Sequence, residues 1–410
     1  MKGNVLVGQS GGPTAVINAS LAGVVQAARA AGFTGIYGMQ FAIEGFLEER
    51  LLDLGALSYQ DLVRLKHTPG SALGSCRYKV REEDLPRIYQ LLRRFDIRYL
   101  FYIGGNDTMD TVHRITEFCK KEGYEIFGVG IPKTVDNDLY ATDHTPGYPS
   151  AARYVALSVL HAGRLARDMQ RVDRFLVHQT VGRDAGWLAA ASALAARRRE
   201  DAPHLIYIPE RPLTRDGVLA DVDRVVREFG WASIVIGEGT CWEDGTPVSA
   251  GFSGGAEAAR RDRFDNIEFG AMGGGSAALT LHRLITEATG FRGEFQVPES
   301  LPMSAADRVV SLDREEAFAC GVEAVVRAAR GESGVMVTII RTQSDRGAYH
   351  VSYGTAPLEE VAVRARPMPP EMIAPGFVTE AFLEYARPLV GDIEEYIDLQ
   401  QLPPVGAAPG

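Results

Sequence analysis

Short runs of consecutive apolar residues alternate along this chain with longer stretches whose apolar positions recur every three or four residues. The runs Val5–Val7, Gly35–Met39, Tyr99–Ile103 and Ile126–Ile131 are too short for helices and carry no polar face. They predict strands buried on both sides. Between them, Ala15–Ala31, Leu85–Phe95 and Thr108–Lys121 have helical spacing. Strands alternating with helices build right-handed βαβ units and a mostly parallel sheet. A second series opens at Pro149-Ser150, with a helix to about Met169. It continues through strand Phe175–Gln179, helix Trp187–Arg198, strand His204–Ile208, helix Leu219–Phe229 and strand Ser233–Gly237. The pattern predicts an α/β protein of two doubly wound, mostly parallel-sheet domains with the active site in the cleft between them. Glycine-rich stretches at Gly251–Gly255 and Gly270–Gly275 are expected as loops near that cleft.

Composition changes this picture little. At 410 residues the chain is long for one domain and comfortable for two. Hydrophobic residues at 46% and charged residues at 23% are ordinary for a globular protein. No apolar run approaches the roughly 18 residues of a membrane span, and Met1-Lys2-Gly3 leads straight into a strand without a secretory pattern. A cytoplasmic protein without membrane partners is expected. The net charge of -10 argues against general nucleic-acid binding and leaves room for a local cationic pocket. Cys76, Cys119, Cys241 and Cys320 have no metal-type spacing and read as free thiols in a reducing compartment.

The candidate chemistry sits where the predicted strands end, the edge at which open α/β sheets bind ligands. Gly8-Gln9-Ser10-Gly11-Gly12-Pro13 follows the first strand. Adjacent glycines there suit an anion at a helix N-terminus, and equally a tight turn without a ligand. Gly104-Gly105-Asn106-Asp107-Thr108 repeats the arrangement, although Asp107 or Thr108 could serve only as a helix cap. The loop Pro132-Lys133-Thr134-Val135-Asp136-Asn137-Asp138 is more specific. Two neighbouring carboxylates raise each other's proton affinity unless a cation balances them. One of them can take a proton from an attacking hydroxyl while the other organises Mg²⁺ or its surroundings. Lys133 supplies a point charge for a transferring phosphoryl group. Arg174 and Val181-Gly182-Arg183 flank a strand of the second series, where surface ion pairing is the plain alternative. Glu238 ends a strand where a carboxylate can accept hydrogen bonds from sugar hydroxyls.

Several long motifs in order resemble the phosphofructokinase superfamily, most closely its bacterial pyrophosphate-dependent branch, over about residues 4 to 350. They include Gly8–Ser20, Thr68–Tyr78, Ile103–Thr111, Gly130–Leu139, Asp143–Gly147, Gly182–Ala190 and Pro209-Glu210. The resemblance implies a Mg²⁺-assisted phosphotransferase using pyrophosphate and a small polyhydroxyl acceptor, assembled as a homodimer or homotetramer. It implies a donor domain at 1–150 and an acceptor domain at 151–400, with part of 300–370 packing back on the first, and a loose tail at 401–410. Asp136 is then the base, with Lys133 and Asp107 at the reaction centre. Gly11, Gly12, Gly105, Asn106 and Thr108 hold the donor, and Asn106 and Asp107 are placed to bind the metal. Thr134, Asp138, Arg174, Gly182, Arg183 and Glu238 belong to the acceptor side.

ATP-using relatives have glycine at positions 107 and 133. An Asp107 carboxylate would occupy and repel the place of an α-phosphate, while Lys133 neutralises pyrophosphate. The acceptor side departs from the family pattern. Met303, before Ser304-Ala305-Ala306, and Glu294 stand where relatives carry phosphate-gripping arginines. Ser300 replaces an aromatic or histidine, and Phe264-Asp265-Asn266 replaces Phe-Gly-His. Each charge-assisted contact contributes roughly 1.5–3 kcal/mol, so losing two would cost roughly 3–6 kcal/mol. The expected acceptor is a sugar or polyol not bound as fructose 6-phosphate usually is. A conventional fructose 6-phosphate enzyme and a catalytically silent paralogue are the alternatives. Asn106 stands where many relatives have a metal-binding aspartate.

Overall fold

The computed structural model describes residues 2–252, 275–343, 349–399 and 402. Residues 253–255 and 270–274 of the glycine-rich stretches, Phe264-Asp265-Asn266 and all of the expected tail except Leu402 lie outside them.

The first apolar run forms β1 (Asn4–Gln9), whose Val5, Leu6 and Val7 are fully buried. Continuous burial follows from its position inside a sheet covered on both faces. The chain proceeds through α1 (Ile17–Ala30), β2 (Ile36–Met39), α2 (Ala42–Leu47), β3 (Leu51–Asp53), α3 (Tyr59–His67) and α4 (Leu85–Arg94). It continues with β4 (Ile97–Gly104), α5 (Asn106–Lys121) and β5 (Phe127–Pro132). Strands β2, β1, β4 and β5 pair in parallel, and β3 adds an antiparallel edge to β2.

A second sheet follows α6 (Tyr148–Asp168). Strands β6 (Phe175–Thr180), β7 (Leu205–Tyr207), β8 (Ala232–Gly237) and β9 (Gly293–Gln296) alternate with α7 (Trp187–Ala191), α8 (Arg215–Phe229) and α9 (Ala277–Thr289). Its strand order is β7-β8-β6-β9, all parallel.

The chain then returns to the first sheet. After α10 (Ser311–Ala329), β10 (Val335–Gln343) joins β5 in parallel, and β11 (Tyr349–Pro357) closes that edge antiparallel. The first sheet therefore has seven strands in the order β11-β10-β5-β4-β1-β2-β3. Glycines let α10 press onto α1. A Cβ at Gly23 would lie 2.2 Å from the Phe318 carbonyl oxygen, and one at Gly321 would lie 2.1 Å from that of Ser20. The C-terminal part adds α11 (Leu358–Val363), a two-stranded hairpin of β12 (Ile373–Ala374) and β13 (Phe377–Val378), and α12 (Glu380–Val390).

The helix expected over Trp187–Arg198 is shorter than its alanine-rich sequence suggests. It ends as an α-helix at Ala191 and tightens into a 3₁₀ turn over Ser192–Ala195. The Ser192 hydroxyl donates back to the Ala189 carbonyl at 2.5 Å, a local bond that competes with the helical ladder. No helix among the described residues is long and apolar enough to cross a membrane. The four cysteines are unpaired, as expected.

Candidate active site

Strands β1, β4 and β5 of the first sheet and β6 and β8 of the second end on one cleft of about 750 Å³. That volume suits a small polar substrate pair.

The turn after β1 reaches the cleft as Ser10-Gly11-Gly12-Pro13. Gly11 is left-handed at φ +76, its N–H donates to the Cys76 carbonyl at 3.1 Å, and its own carbonyl accepts from Ser75 Oγ at 2.6 Å. This corrects one expectation. Helix α1 begins at Ile17, with four residues between it and Gly12, and its first residues are buried. The Gly11-Gly12 turn therefore does not present an anion to the N-terminus of α1, and the Gly11 N–H is already used. The two glycines instead leave room beside a lysine. A Cβ at Gly11 would lie 3.3 Å from Lys133 Nζ.

The open helix N-terminus belongs to α5. Gly105 is its cap, so neither Asp107 nor Thr108 caps it, and the helix starts at Asn106 inside the cleft. A 16-residue helix whose capping residue has no side chain leaves first-turn N–H groups and the positive dipole end for an anion. Gly104 cannot be larger, because a Cβ there would fall 2.0 Å from Thr108 Oγ1. The Asp107 side chain is 76% exposed to the cleft and pairs with Lys79 at 3.5 Å. The Asn106 amide nitrogen donates to the Val361 and Arg364 carbonyls at 2.8 and 2.9 Å. Both amide hydrogens are thereby committed, and Oδ1 remains.

Along the bent loop after β5 burial alternates. Thr134, Asp136 and Asp138 face the cleft, while Lys133, Val135, Asn137 and Leu139 are buried. Lys133 Nζ donates to the Gly12 carbonyl at 2.6 Å. Burial pulls its pKa down to about 8, against the pull of Asp136 and Asp138. The Asp136 N–H donates to Thr134 Oγ1 at 3.0 Å. Burial first, then the neighbouring Asp138 and Glu238, push the Asp136 carboxyl up towards about 7, with Arg183 and Lys133 opposing. Asp138 is raised for the same leading reason. A carboxyl held near neutrality beside the buried Lys133 ammonium and the Arg183 guanidinium can serve as a proton acceptor.

The second sheet supplies the opposite wall. Gly182, at φ +123, donates its N–H to Glu238 Oε1 at 3.3 Å, fixing the carboxylate from behind. Burial pushes Glu238 up to about 7. Arg183 and Glu238 line the cleft, and their loops touch so closely that a Cβ at Gly239 would lie 1.6 Å from the Arg183 carbonyl oxygen. Met303 also lines the cleft, with its sulfur 3.5 Å from where a Cβ at Gly12 would sit.

Two acceptor-side expectations are not met within this cleft. Arg174 precedes β6, whose far end, Thr180, is the one that meets the cleft. Six strand residues separate them by roughly 20 Å. Its guanidinium lies over the Phe291 ring at 5.6 Å. Glu294 sits at the matching end of β9, opposite Leu176, and is exposed on that edge strand.

Other residues on the wall escaped the sequence reading. Arg77 lies within, and Lys79 just after, the stretch Thr68–Tyr78 quoted only as a motif, and Glu299 follows β9. Arg364 comes from the returning C-terminal segment, which no local pattern ties to the cleft. It donates to Tyr140 Oη and Glu360 at 2.9 Å each.

Among the described residues no three His, Cys, Asp or Glu side chains form a preformed metal cage. Mg²⁺ at phosphate sites needs only one or two protein oxygens, with waters and substrate oxygens completing its shell. Exposed Asp107, with Asn106 Oδ1, fits such a shell.

The sequence model of phosphofructokinase matches residues 4–327. The chain belongs to the phosphofructokinase family. It is accordingly a kinase-type phosphotransferase with an alcohol group as acceptor. A pyrophosphate–fructose 6-phosphate 1-phosphotransferase of Halomonas elongata is 37% identical over 397 residues, covering 94% of this chain and 91% of the relative. A sulfofructose kinase of Alkalicoccus urumqiensis is 31% identical, covering 87% of this chain and 88% of the relative. The crystal structure of a pyrophosphate-dependent phosphofructokinase from Marinobacter aquaeolei matches with a TM-score of 0.83 at 35% identity, over 97% of this chain and 94% of that one.

Proposed function

We propose that this phosphofructokinase-family member moves a phosphoryl group from pyrophosphate to a hydroxyl of a sugar or polyol, with Mg²⁺ as cofactor. Lys133 carries the reading. Its buried ammonium lies 2.6 Å from the Gly12 carbonyl, where it can neutralise a short, highly charged anion. Asp107, at the start of α5, supports the same donor, because a carboxylate there opposes an α-phosphate. Acceptor oxygen attacks phosphorus, the bridging P–O bond breaks, phosphate leaves, and the hydroxyl proton passes to Asp136. The first turn of α5 holds donor oxygens, together with Gly105 and Thr108. Thr134, Asp138, Arg183 and Glu238 orient the acceptor hydroxyls. Mg²⁺ held by Asp107 and Asn106 would supply charge neutralisation on the donor. Positioning and charge do most of the catalysis, since phosphoryl transfer asks little covalent chemistry of the protein.

The acceptor is a polyhydroxyl compound not gripped by the family's pair of arginines. Met303 presents a thioether at the cleft, and Glu299 adds negative charge on the same wall. Arg174 and Glu294 are remote from their own cleft, so they reach an acceptor only if a neighbouring copy in a homodimer or homotetramer brings its cleft to them. A second reading has one specific support: Arg77, Lys79 and Arg364 offer cations for the phosphate of fructose 6-phosphate or for another anionic tail. Purified protein assayed with pyrophosphate or ATP against phosphorylated, sulfonated and free sugars separates these readings. We expect turnover with pyrophosphate and a preference for an acceptor other than fructose 6-phosphate. Efficient fructose 6-phosphate turnover overturns the acceptor claim, and activity only with ATP overturns the donor claim.

A further inference from the structure

Between the two cleft-facing carboxylates lies Asn137, fully buried and left-handed at φ +58. An L-residue is strained there, asparagine least of all, so something must hold it. Its Oδ1 accepts the Thr145 N–H at 3.1 Å, and its Nδ2 donates to Tyr385 Oη at 2.9 Å. Tyr385 lies on α12, more than fifty residues past the span matched by the family's sequence model.

The Tyr385 hydroxyl is saturated. Besides accepting from Asn137 it accepts from Arg366 at 3.3 Å and donates to the Asp143 carbonyl at 2.9 Å. Around it the C-terminal segment makes further bonds to the same loop. The Arg366 N–H donates to the Asp138 carbonyl at 2.7 Å, and Leu139 bridges Ala365. Arg341 and Arg366 sit over the Tyr385 ring at 4.6 and 5.7 Å, and Trp187 packs against it at 5.2 Å. One hydroxyl thus joins the middle of the Asp136–Asp138 segment to three other strands of chain and touches no cleft surface itself.

We infer that Tyr385 is a positioning residue for phosphoryl transfer: its hydroxyl fixes Asn137, and through it the backbone that aims Asp136 and Asp138. The inference rests on the roles proposed for those carboxylates. A displacement of about 1 Å at a reacting group can lower a rate about a hundredfold, and losing one of several tethers calls for a smaller effect.

Tyr385→Phe removes only the hydroxyl. Tyr124→Phe is the control, because Tyr124 Oη bonds the Ile97 carbonyl at 2.8 Å near the far end of the first sheet. We expect Tyr385→Phe to lower kcat about tenfold, with KM for pyrophosphate and acceptor within twofold. Amide hydrogen exchange in peptides spanning 134–147 should rise at least fivefold. Tyr124→Phe, with a comparable fall in melting temperature, should do neither. Asn137→Ala combined with Tyr385→Phe should cost no more in kcat than the worse single variant. Unchanged exchange in 134–147, or a kcat within twofold of the parent, overturns the inference, as does an equal kcat loss in Tyr124→Phe. If the parent turns over no acceptor, the functional reading fails, and hydrogen exchange alone decides the tether.

Discussion

The most discriminating perturbation is Asp138→Asn, read through the pH dependence of turnover. Asp136 must be ionised to accept a proton, so activity rises with pH through its pKa of about 7. Lys133 must be protonated to neutralise the donor, so activity falls through about 8. With these values the fraction of enzyme in the productive state peaks near pH 7.5 at about 60%, and drops to about a tenth at pH 6 and pH 9. Asp136 and Asp138 are two residues apart, at most about 7 Å at the backbone. At an effective dielectric of 20, two unit charges at that distance repel by about 2.4 kcal/mol, nearly two pH units at about 1.36 kcal/mol each. The Arg183 and Lys133 cations beside both carboxyls offset part of this repulsion, so about one unit is the expected shift. Asp138→Asn should therefore move the acid limb of kcat/KM about one unit lower and leave the alkaline limb in place. The assay is initial-rate kinetics from pH 5.5 to 9.5 with the best acceptor found. Pyrophosphate itself titrates in this range, but identically for parent and variant, so the difference isolates the enzyme. An acid limb that stays put or moves upward would refute the assignment of Asp136 as the base repelled by Asp138.

Further outcomes follow from single contacts. Lys133→Met, nearly isosteric but uncharged, should lower kcat with pyrophosphate about 10²–10³-fold, the magnitude of one lost charge stabiliser, in steady-state assays. Lys133→Arg stays charged at all accessible pH, so whatever activity survives should lack the alkaline limb. Met303→Arg restores a cation at the cleft and should raise kcat/KM for fructose 6-phosphate about 10–100-fold, as expected for one charge-assisted contact. Gly239→Ala drives a methyl into the Arg183 carbonyl, so it should raise acceptor KM with little change for pyrophosphate. It should also lower stability by about 1–3 kcal/mol in denaturant titration.

The first sheet was legible because its inner strands are uninterrupted apolar runs, the one pattern that double-sided burial enforces. Residues 335–340 are apolar except for Thr338, but nothing local says that they pair beside β5, some two hundred residues earlier. Strand β9 opens on glycine and exposes two of its four residues, so it offers neither a run nor an alternation. The carboxylate loop was readable for a related reason. Lys133, Asp136 and Asp138 follow such an apolar run closely, and the chemistry of those residue types is strong. The helix-dipole argument was attached to both glycine turns, and only the second meets its helix directly. Pro13-Thr14-Ala15-Val16 separates Gly12 from α1, whereas Gly105 caps α5 directly.

What sequence spacing could not give was distance across the second sheet. Arg174 and Arg183 look like neighbours nine residues apart, but a parallel strand spends six of those residues crossing from one edge of the sheet to the other. Only Arg183 arrives at the cleft. The same geometry carries Glu294 away while bringing Glu299 and Met303 in. An arginine or glutamate at the start of such a strand therefore contributes to a cleft only if another copy of the chain brings its own cleft to that edge. For Arg174 and Glu294 the question of acceptor specificity thus becomes a question of assembly.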